Sequence, residues 1–453
     1  MKNIYKSELS DTIKLAAPVS IGQLGHIAMG VVDSMMVGQV GAVPLAAASL
    51  VTGIFFLILV IGFGVAFAVT PLTAIAKGSG DNEECGTVLR EGFILNFFIG
   101  IILFAVLYFA ADFLRFLNQP PDVTREAAVY LRVLSFSVIP MLLFQNHRSF
   151  SEGLSFVSPP MYIAIFANFA NAFFNWILIF GNLGFPALGL KGAGIATLFT
   201  RSLMMIAMLV YIHKSERFKI YLAGFFSKKT DIKLMKKILE IGLPSGFQYF
   251  FEVAAFSFAA VMIGWIGSYQ LAAHQIAINL SSVTYMVILG ISSAGSIRVA
   301  EAYGMKSAEK VRRAGFSALA ISAGFTLITA SLFFTLRGIL PTFYNDNENV
   351  LALASQLLII AGFFQIFDGA QATDLGILRG MKDTKKPLLV TVFAYWVIGI
   401  PVGYYLAFKL NYGAVGVWIG LTLGLAIVGI LLTLRFHLKT NRLFLNERRT
   451  MDN

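Results

Sequence analysis

Apolar residues run along this chain in long blocks separated by short polar or Pro/Gly-rich breaks. A helix that crosses a bilayer needs about 20 mostly apolar residues. Twelve blocks qualify, at approximately 12–38, 46–76, 91–117, 123–147, 160–182, 189–213, 236–266, 272–303, 314–340, 350–378, 385–409 and 412–436. Several exceed the minimum and predict tilted helices, or helices that project past the hydrocarbon. No long hydrophilic stretch is left for a second, soluble domain. The pattern predicts an all-α membrane protein with twelve transmembrane helices.

Composition agrees. Of 453 residues, 57% are hydrophobic and 13% charged, against roughly 25% charged in soluble chains. A soluble enzyme, a disordered regulator and a nucleic-acid protein with a basic binding patch are all excluded. The net charge of +11 is instead a topology signal. The N-terminus, the even-numbered connections and the C-terminus hold 28 of the 35 Lys and Arg residues. The odd-numbered connections hold six, namely Arg115, Arg125, Arg132, Lys191, Arg337 and Lys409. Arg201 lies inside the sixth block. The positive-inside rule therefore places both termini in the cytoplasm. Residues 2–14 mix charges, no small-residue cleavage site follows, and the first block contains Asp33. It reads as an uncleaved span, not a signal peptide.

The longest polar interruption, around Lys228-Lys229-Thr230-Asp231, lies at mid-chain and invites a search for a repeat. A shift of 226 residues aligns Pro18 with Pro244, Gly41 with Gly267, Ala46-Ala47 with Ala272-Ala273 and Gly78 with Gly304. A shift of 227 aligns Gly153 and Pro160 with Gly380 and Pro387, and one of 224 aligns Gly189-x-x-Gly192 with Gly413-x-x-Gly416. The chain reads as two pseudo-symmetric six-helix bundles, 1–220 and 221–453. Parallel repeats of this kind recur in transporters.

Ionisable groups mid-span cost about 2.5–3.5 kcal/mol on insertion scales and so mark function by default. Four acids qualify: Asp33, Glu252, Asp368 and Asp374. None has a Lys or Arg one helical turn away in the mid-membrane part of its span, so each can take up Na⁺ or H⁺. Helical spacing gives each acid company. Gln23, His26, Gly30 and Asp33 share a face. So do Asn168, Asn171 and Asn175; so do Phe364, Gln365, Asp368 and Gln371. Gln248 lies one turn before Glu252. Gln275, Asn279 and Ser282 line up on the eighth block. The alternative for each stripe is a helix-joining hydrogen bond. Asp374 points elsewhere on its helix, where it could solvate at the membrane edge beside Arg379. Arg201 could pair within its own bundle or help hold an anion. Gln23, His26, Gln248, Phe364 and Gln371 are candidate substrate contacts, with aromatic faces such as Phe364 and Phe251 suited to flat lipophilic cations.

Other chemistries lack their residues. There is no Gly-x-x-x-x-Gly-Lys-Ser/Thr loop for ATP, and no Gly-x-Ser-x-Gly or His-Glu-x-x-His site. His147, Arg148 and Glu152 form no nucleophile constellation. The acids Asp81, Glu83 and Glu84 read as a solvated loop. The single cysteine, Cys85, can form no internal disulfide. No catalytic residue and no cofactor beyond the coupling ion is expected.

The segments Pro18 through Asp33-Ser-Met-Met-Val-Gly38, Phe251-Glu252 through Ala273-His274-Gln275-Ile-Ala-Ile-Asn279, and Leu378-Arg379-Gly380-Met-Lys-Asp383-Thr-Lys resemble the multidrug and toxic compound extrusion (MATE) family, and within it the NorM-type branch. The likeness runs in order over essentially the whole chain. It implies twelve helices in two lobes and export of organic cations against inward flow of Na⁺ or H⁺, in a bacterial inner membrane, by a monomer without nucleic-acid partners. It implies that Glu252 and Asp368 hold the cation, as Na⁺ ligands where sodium is used, and that Asp33 acts with Asn171, Asn175 and Thr197. Two departures stand out. Phe364 occupies a place where the family often has Tyr, and Asn175 one where another branch has Asp. The alternative within related carriers is a flippase of a lipid-linked precursor. It would need several cations at depth, where Arg201 alone is available.

Overall fold

The computed structural model describes residues 2–226 and 229–451, with side chains for 7–226 and 229–447. Every regular element among the described residues is helical. Hydrocarbon offers no partner to a backbone amide, and a helix pairs its amides within the segment. The first half contains α1 (Lys2–Gly38), α2 (Ala42–Phe67), α3 (Val69–Ser79), α4 (Asn82–Phe113), α5 (Pro121–Ser135), α6 (Val138–Gly153), α7 (Ser158–Phe180) and α8 (Gly189–Lys214). The second contains α9 (Ile232–Ile266), α10 (Ser268–Gly304), α11 (Ala308–Leu336), α12 (Glu348–Gly380), α13 (Lys385–Val392), α14 (Ile400–Tyr404) and α15 (Gly413–Met451). Between α13 and α14 the helix continues with a wider, π-type pitch over Phe393–Gly399.

Eleven of these segments, taking α2 with α3 and α13 with α14, are long and apolar enough to cross a membrane. The span predicted over 123–147 is the twelfth, and it is broken: α5 and α6 meet at 43°. Pro140 explains the break, because it has no amide to offer the carbonyl of Phe136. The hydroxyls of Ser135 and Ser137 bond back to the carbonyls of Arg132 and Leu134 at the same turn. Pro71 does the same to the carbonyl of Phe67, where α2 gives way to α3.

The backbone confirms the repeat. Gly41 precedes α2 with φ 150° and Gly267 precedes α10 with φ 157°. With ψ near 170° and 160° this is a conformation essentially reserved for glycine. Left-handed residues pair likewise: Gly80 with Lys306, Ser155 with Lys382, and Gly189 with Gly413.

The chain forms two compact units, Ile21–Phe247 and the described residues of Met1–Ser20 with Gln248–Asn453. The cuts fall inside α1 and α9, each just past its internal proline, Pro18 or Pro244. Each unit thus takes in the opening turns of the other half's first helix. Two close approaches seat those turns. In the N-terminal unit, a Cβ on Gly64 would lie 2.1 Å from the Gly246 amide nitrogen and 2.6 Å from the Gly242 carbonyl. In the C-terminal unit, a Cβ on Gly290 would lie 2.0 Å from Ser20 Oγ and 2.9 Å from the Ala16 carbonyl. Every residue of one contact maps to its counterpart at a shift of 226. Small residues bring helices to backbone contact where lipid offers no hydrophobic drive.

Gly64→Val and Gly290→Val should each lower thermal stability in detergent, by about 1–3 kcal/mol in an overpacked contact. Gly53→Val, at a position with nothing within 4 Å of an added Cβ, is the matched control. Equal melting of all three in a size-exclusion thermal scan would show that these seats are loose.

Candidate cation and substrate sites

In the N-terminal unit, α7 presents Asn171 and Asn175 one turn apart, both fully buried. Asn175 Nδ2 donates to Asp33 Oδ1 of α1 at 2.5 Å and to Asn171 Oδ1 at 3.2 Å. Asn171 Nδ2 and Asn175 Oδ1 keep no partner of their own. Thr197 is buried on α8, and its hydroxyl donates to the Ala193 carbonyl of the same helix. One turn on, Arg201 donates to Ser137 Oγ at 2.7 Å and sits 4.9 Å from the centre of the Phe55 ring. Arg201 lies within electrostatic reach of Asp33, yet no ion pair joins them among the described residues. Gln23 and His26 are half-buried, and no hydrogen bond joins either to the Asp33 carboxylate. Asn168, third in the stripe, turns back onto the Ala164 carbonyl.

In the C-terminal unit, Gln248 Nε2 donates to Glu252 Oε2 at 2.6 Å, one turn apart on α9 as their spacing predicts. Asp368 of α12 is within electrostatic reach of Glu252, and both carboxylates are 5% exposed. Gln371, one turn from Asp368, is fully buried and reaches toward Glu252. Phe364 is 2% exposed, with its ring 5.9 Å from Phe256 and 5.5 Å from Trp418. Neither acid has a Lys, Arg or His within ion-pair distance among the described residues. The arrangement is one acid held by amides in one unit and two acids close together in the other.

Comparison with known proteins matches this frame. The MatE family model matches residues 18–177 and 244–405, one copy per half, beginning at Pro18 and at the proline that repeats it. A probable multidrug resistance protein NorM of Mesorhizobium japonicum is 36% identical over 443 residues, covering 96% of this chain and 95% of its own. The multidrug resistance protein NorM of Vibrio vulnificus is 34% identical over 437 residues, covering 96% of each. This chain belongs to the MatE family. Solved structures agree on the fold: the eukaryotic MATE transporter AtDTX14 superposes with a TM-score of 0.87 at 21% identity, covering 97% of this chain and 98% of its own. A MATE structure in the bent conformation superposes at 0.89 with 20% identity and covers 96% of each. As a MatE protein the chain is a multi-pass membrane transporter and not an enzyme.

Within this MatE frame one of the two readings left open for Asp374 is ruled out. Asp374 does not solvate at the membrane edge beside Arg379. It is fully buried, and its Oδ2 accepts from Thr433 Oγ1 of α15 at 2.5 Å, while Oδ1 has no partner. Arg379 instead donates to the Tyr249 hydroxyl. Spacing places Asp374 on a helix face, but the face is covered by α15, which spacing on α12 does not reveal. Arg148 and Glu152 form a buried ion pair at 2.6 Å within α6, which accounts for that polar cluster. Gln275 and Asn279 bond each other and are exposed, so they join no second helix.

Four residues of these clusters carried no sequence signal. Tyr130 lies within electrostatic reach of Asp33 and Arg201. Ser137 holds Arg201. Tyr285 and Tyr395 both reach Glu252 and Asp368. They sit on helices other than those bearing the acids, so no spacing rule connects them.

Thr433→Val removes the one hydrogen bond that the Asp374 carboxyl accepts among the described residues and should cost about 1–3 kcal/mol, the penalty of a stranded buried acceptor. Adding Asp374→Leu to it should recover most of that loss. A double-mutant cycle read by thermal melting checks this, and strict additivity would rule the bond out as a stabilising one.

Proposed function

We propose that the chain is a secondary antiporter of the bacterial inner membrane that exports organic, mostly cationic drugs in exchange for Na⁺ or H⁺. Both termini face the cytoplasm, following the excess of Lys and Arg on that side, and the monomer in its bilayer is the working unit. The observation that carries the reading is the state of the acids. Asp33, Glu252 and Asp368 are bonded by amides or close to one another, and among the described residues no fixed cation forms an ion pair with them. A carboxylate so placed is open to a mobile cation. The names of the NorM relatives support the drug as the exchanged partner.

The exchange follows from competition. Asp33, with Asn171, Asn175 and Thr197, and the pair Glu252 and Asp368 bind the coupling ion. Glu252 and Asp368 are the Na⁺ ligands where sodium drives the cycle. Gln23, His26, Gln248, Phe364 and Gln371 contact the drug. Filling the acids with a small ion weakens their hold on a bulky cation, which leaves. Alternating access then returns the ion to the cytoplasm and recharges the acids. Each ligand must prefer one state of the protein, or no coupling results.

Proteoliposomes loaded with ethidium, under an imposed Na⁺ gradient or an imposed pH gradient alone, identify the coupling ion. Asp33→Asn, Glu252→Gln and Asp368→Asn should each reduce gradient-driven efflux at least tenfold. Retention of wild-type efflux by Asp368→Asn would reject the assignment in the C-terminal unit.

A further inference from the structure

Tyr395 sits in the π-pitched stretch Phe393–Gly399, and π-turns inside α-helices cluster at functional positions. Pro401, in the same helix, offers no amide to the turn before it. The Tyr395 side chain in this wider turn is fully buried. Its ring packs edge-on to Phe256 at 5.9 Å. Its other flank is made by Gly424 of α15, where a Cβ would lie 3.4 Å from Tyr395 Cδ1 and 3.2 Å from the Ala394 carbonyl. The ring is therefore held from both sides. Its hydroxyl donates to Gln371 Oε1 at 3.0 Å.

That bond fixes a direction. With Oε1 occupied by Tyr395, the Gln371 amide nitrogen points away from the ring. Gln371 Nε2 is buried with no hydrogen bond of its own, and the Glu252 carboxyl lies within reach of the Gln371 side chain. We propose that Tyr395 is a positioning residue for the cation site: by anchoring Gln371 Oε1 it presents N–H groups, not an oxygen, to the Glu252 carboxylate. This rests on reading Glu252 and Asp368 as cation carriers.

The consequence has one sign for either coupling ion. An N–H donor supports the ionised, empty carboxylate and opposes a cation placed on it. Without the hydroxyl, Gln371 is free to turn its oxygen inward. An oxygen is a ligand for Na⁺, and turning the N–H dipole away from Glu252 also favours a bound H⁺. In both cases the cation is held more tightly and released more slowly. Tyr395 thus keeps the ion's affinity low enough for turnover.

The test is Tyr395→Phe in proteoliposomes, driven by whichever gradient drives the wild type. The half-saturating ion concentration should fall about three- to tenfold, the worth of one hydrogen bond, and the maximal efflux rate should fall with it. A purely structural defect lowers the rate and leaves the half-saturating concentration unchanged. Gln371→Leu, which deletes the donor, should produce a fall of the same kind on its own. Adding Tyr395→Phe to it should change nothing more, since Tyr395 acts through Gln371. An unshifted half-saturating concentration in Tyr395→Phe, or additive effects in the double variant, overturns the proposal. Glu252→Gln separates the two levels. If it abolishes driven efflux while Tyr395→Phe leaves ion dependence unmoved, the carboxylate reading stands and the role of Tyr395 falls. If Glu252→Gln transports normally, both fall.

Discussion

A carboxylate taken out of water must be neutralised, and what neutralises it decides what the protein can do. Where a guanidinium does so, the charge is locked, as in the buried Arg148–Glu152 pair and the ion pair of Arg298 with Glu8. Removing either partner of such a pair leaves an uncompensated charge and destabilises the fold. Asp33, Glu252 and Asp368 are treated differently. Asp33 and Glu252 each accept a hydrogen bond from a neutral amide, Asn175 and Gln248, and Asp368 lies beside Glu252. The chain does not lack basic residues to spend, since 35 are present. Among the described residues none forms an ion pair with these three acids, and Arg201, within electrostatic reach of Asp33, is held on Ser137 and Phe55.

The scaffold around the acids depends on backbone contact between helices. The glycine seats at Gly64 and Gly290 are rigid, because any side chain there meets backbone or a short polar atom. Beside each seat, in the next turn or so of the crossing helix, stands a proline that deletes a helical hydrogen bond. A tight seat thus lies against a helix that lacks one of its own hydrogen bonds. Both compact units have this arrangement, at positions related by one sequence shift.

Much of this was legible beforehand. The twelve apolar blocks and the acids at mid-block are properties of single segments; most blocks map onto one helix, while 46–76, 123–147 and 385–409 map onto interrupted ones. Pairs one turn apart on one helix, such as Gln248 with Glu252 and Asn171 with Asn175, were legible for the same reason. Contacts between helices were not. Spacing names a face but not what covers it, so Asp374 read as peripheral although Thr433 and α15 enclose it. The midpoint 220/221 is a boundary of the repeat in sequence, whereas the compact units divide inside α1 and α9. The breaks near Phe67 and Phe136 follow from Pro71 and Pro140, whose effect on hydropathy is negligible. Tyr395 was hidden because a π turn shifts a residue off the face that a 3.6-residue period assigns to it.

The repeat also shows where symmetry stops. Applied to the acids, it pairs Asp33 with Ala259, Glu252 with His26, and Asp368 with Met141. Each acid therefore has an apolar residue or a histidine as its sequence counterpart in the other half. The glycine seats, the left-handed turns and the prolines were retained in both copies, so they serve the scaffold. The acids were not, so no structural requirement common to both halves explains them. One unit places a single carboxylate against asparagines with an arginine in reach; the other places two against a glutamine held by a tyrosine. The two halves thus carry sites of unlike composition on matching frames, so what each site does is set by its own side chains and not by the repeat.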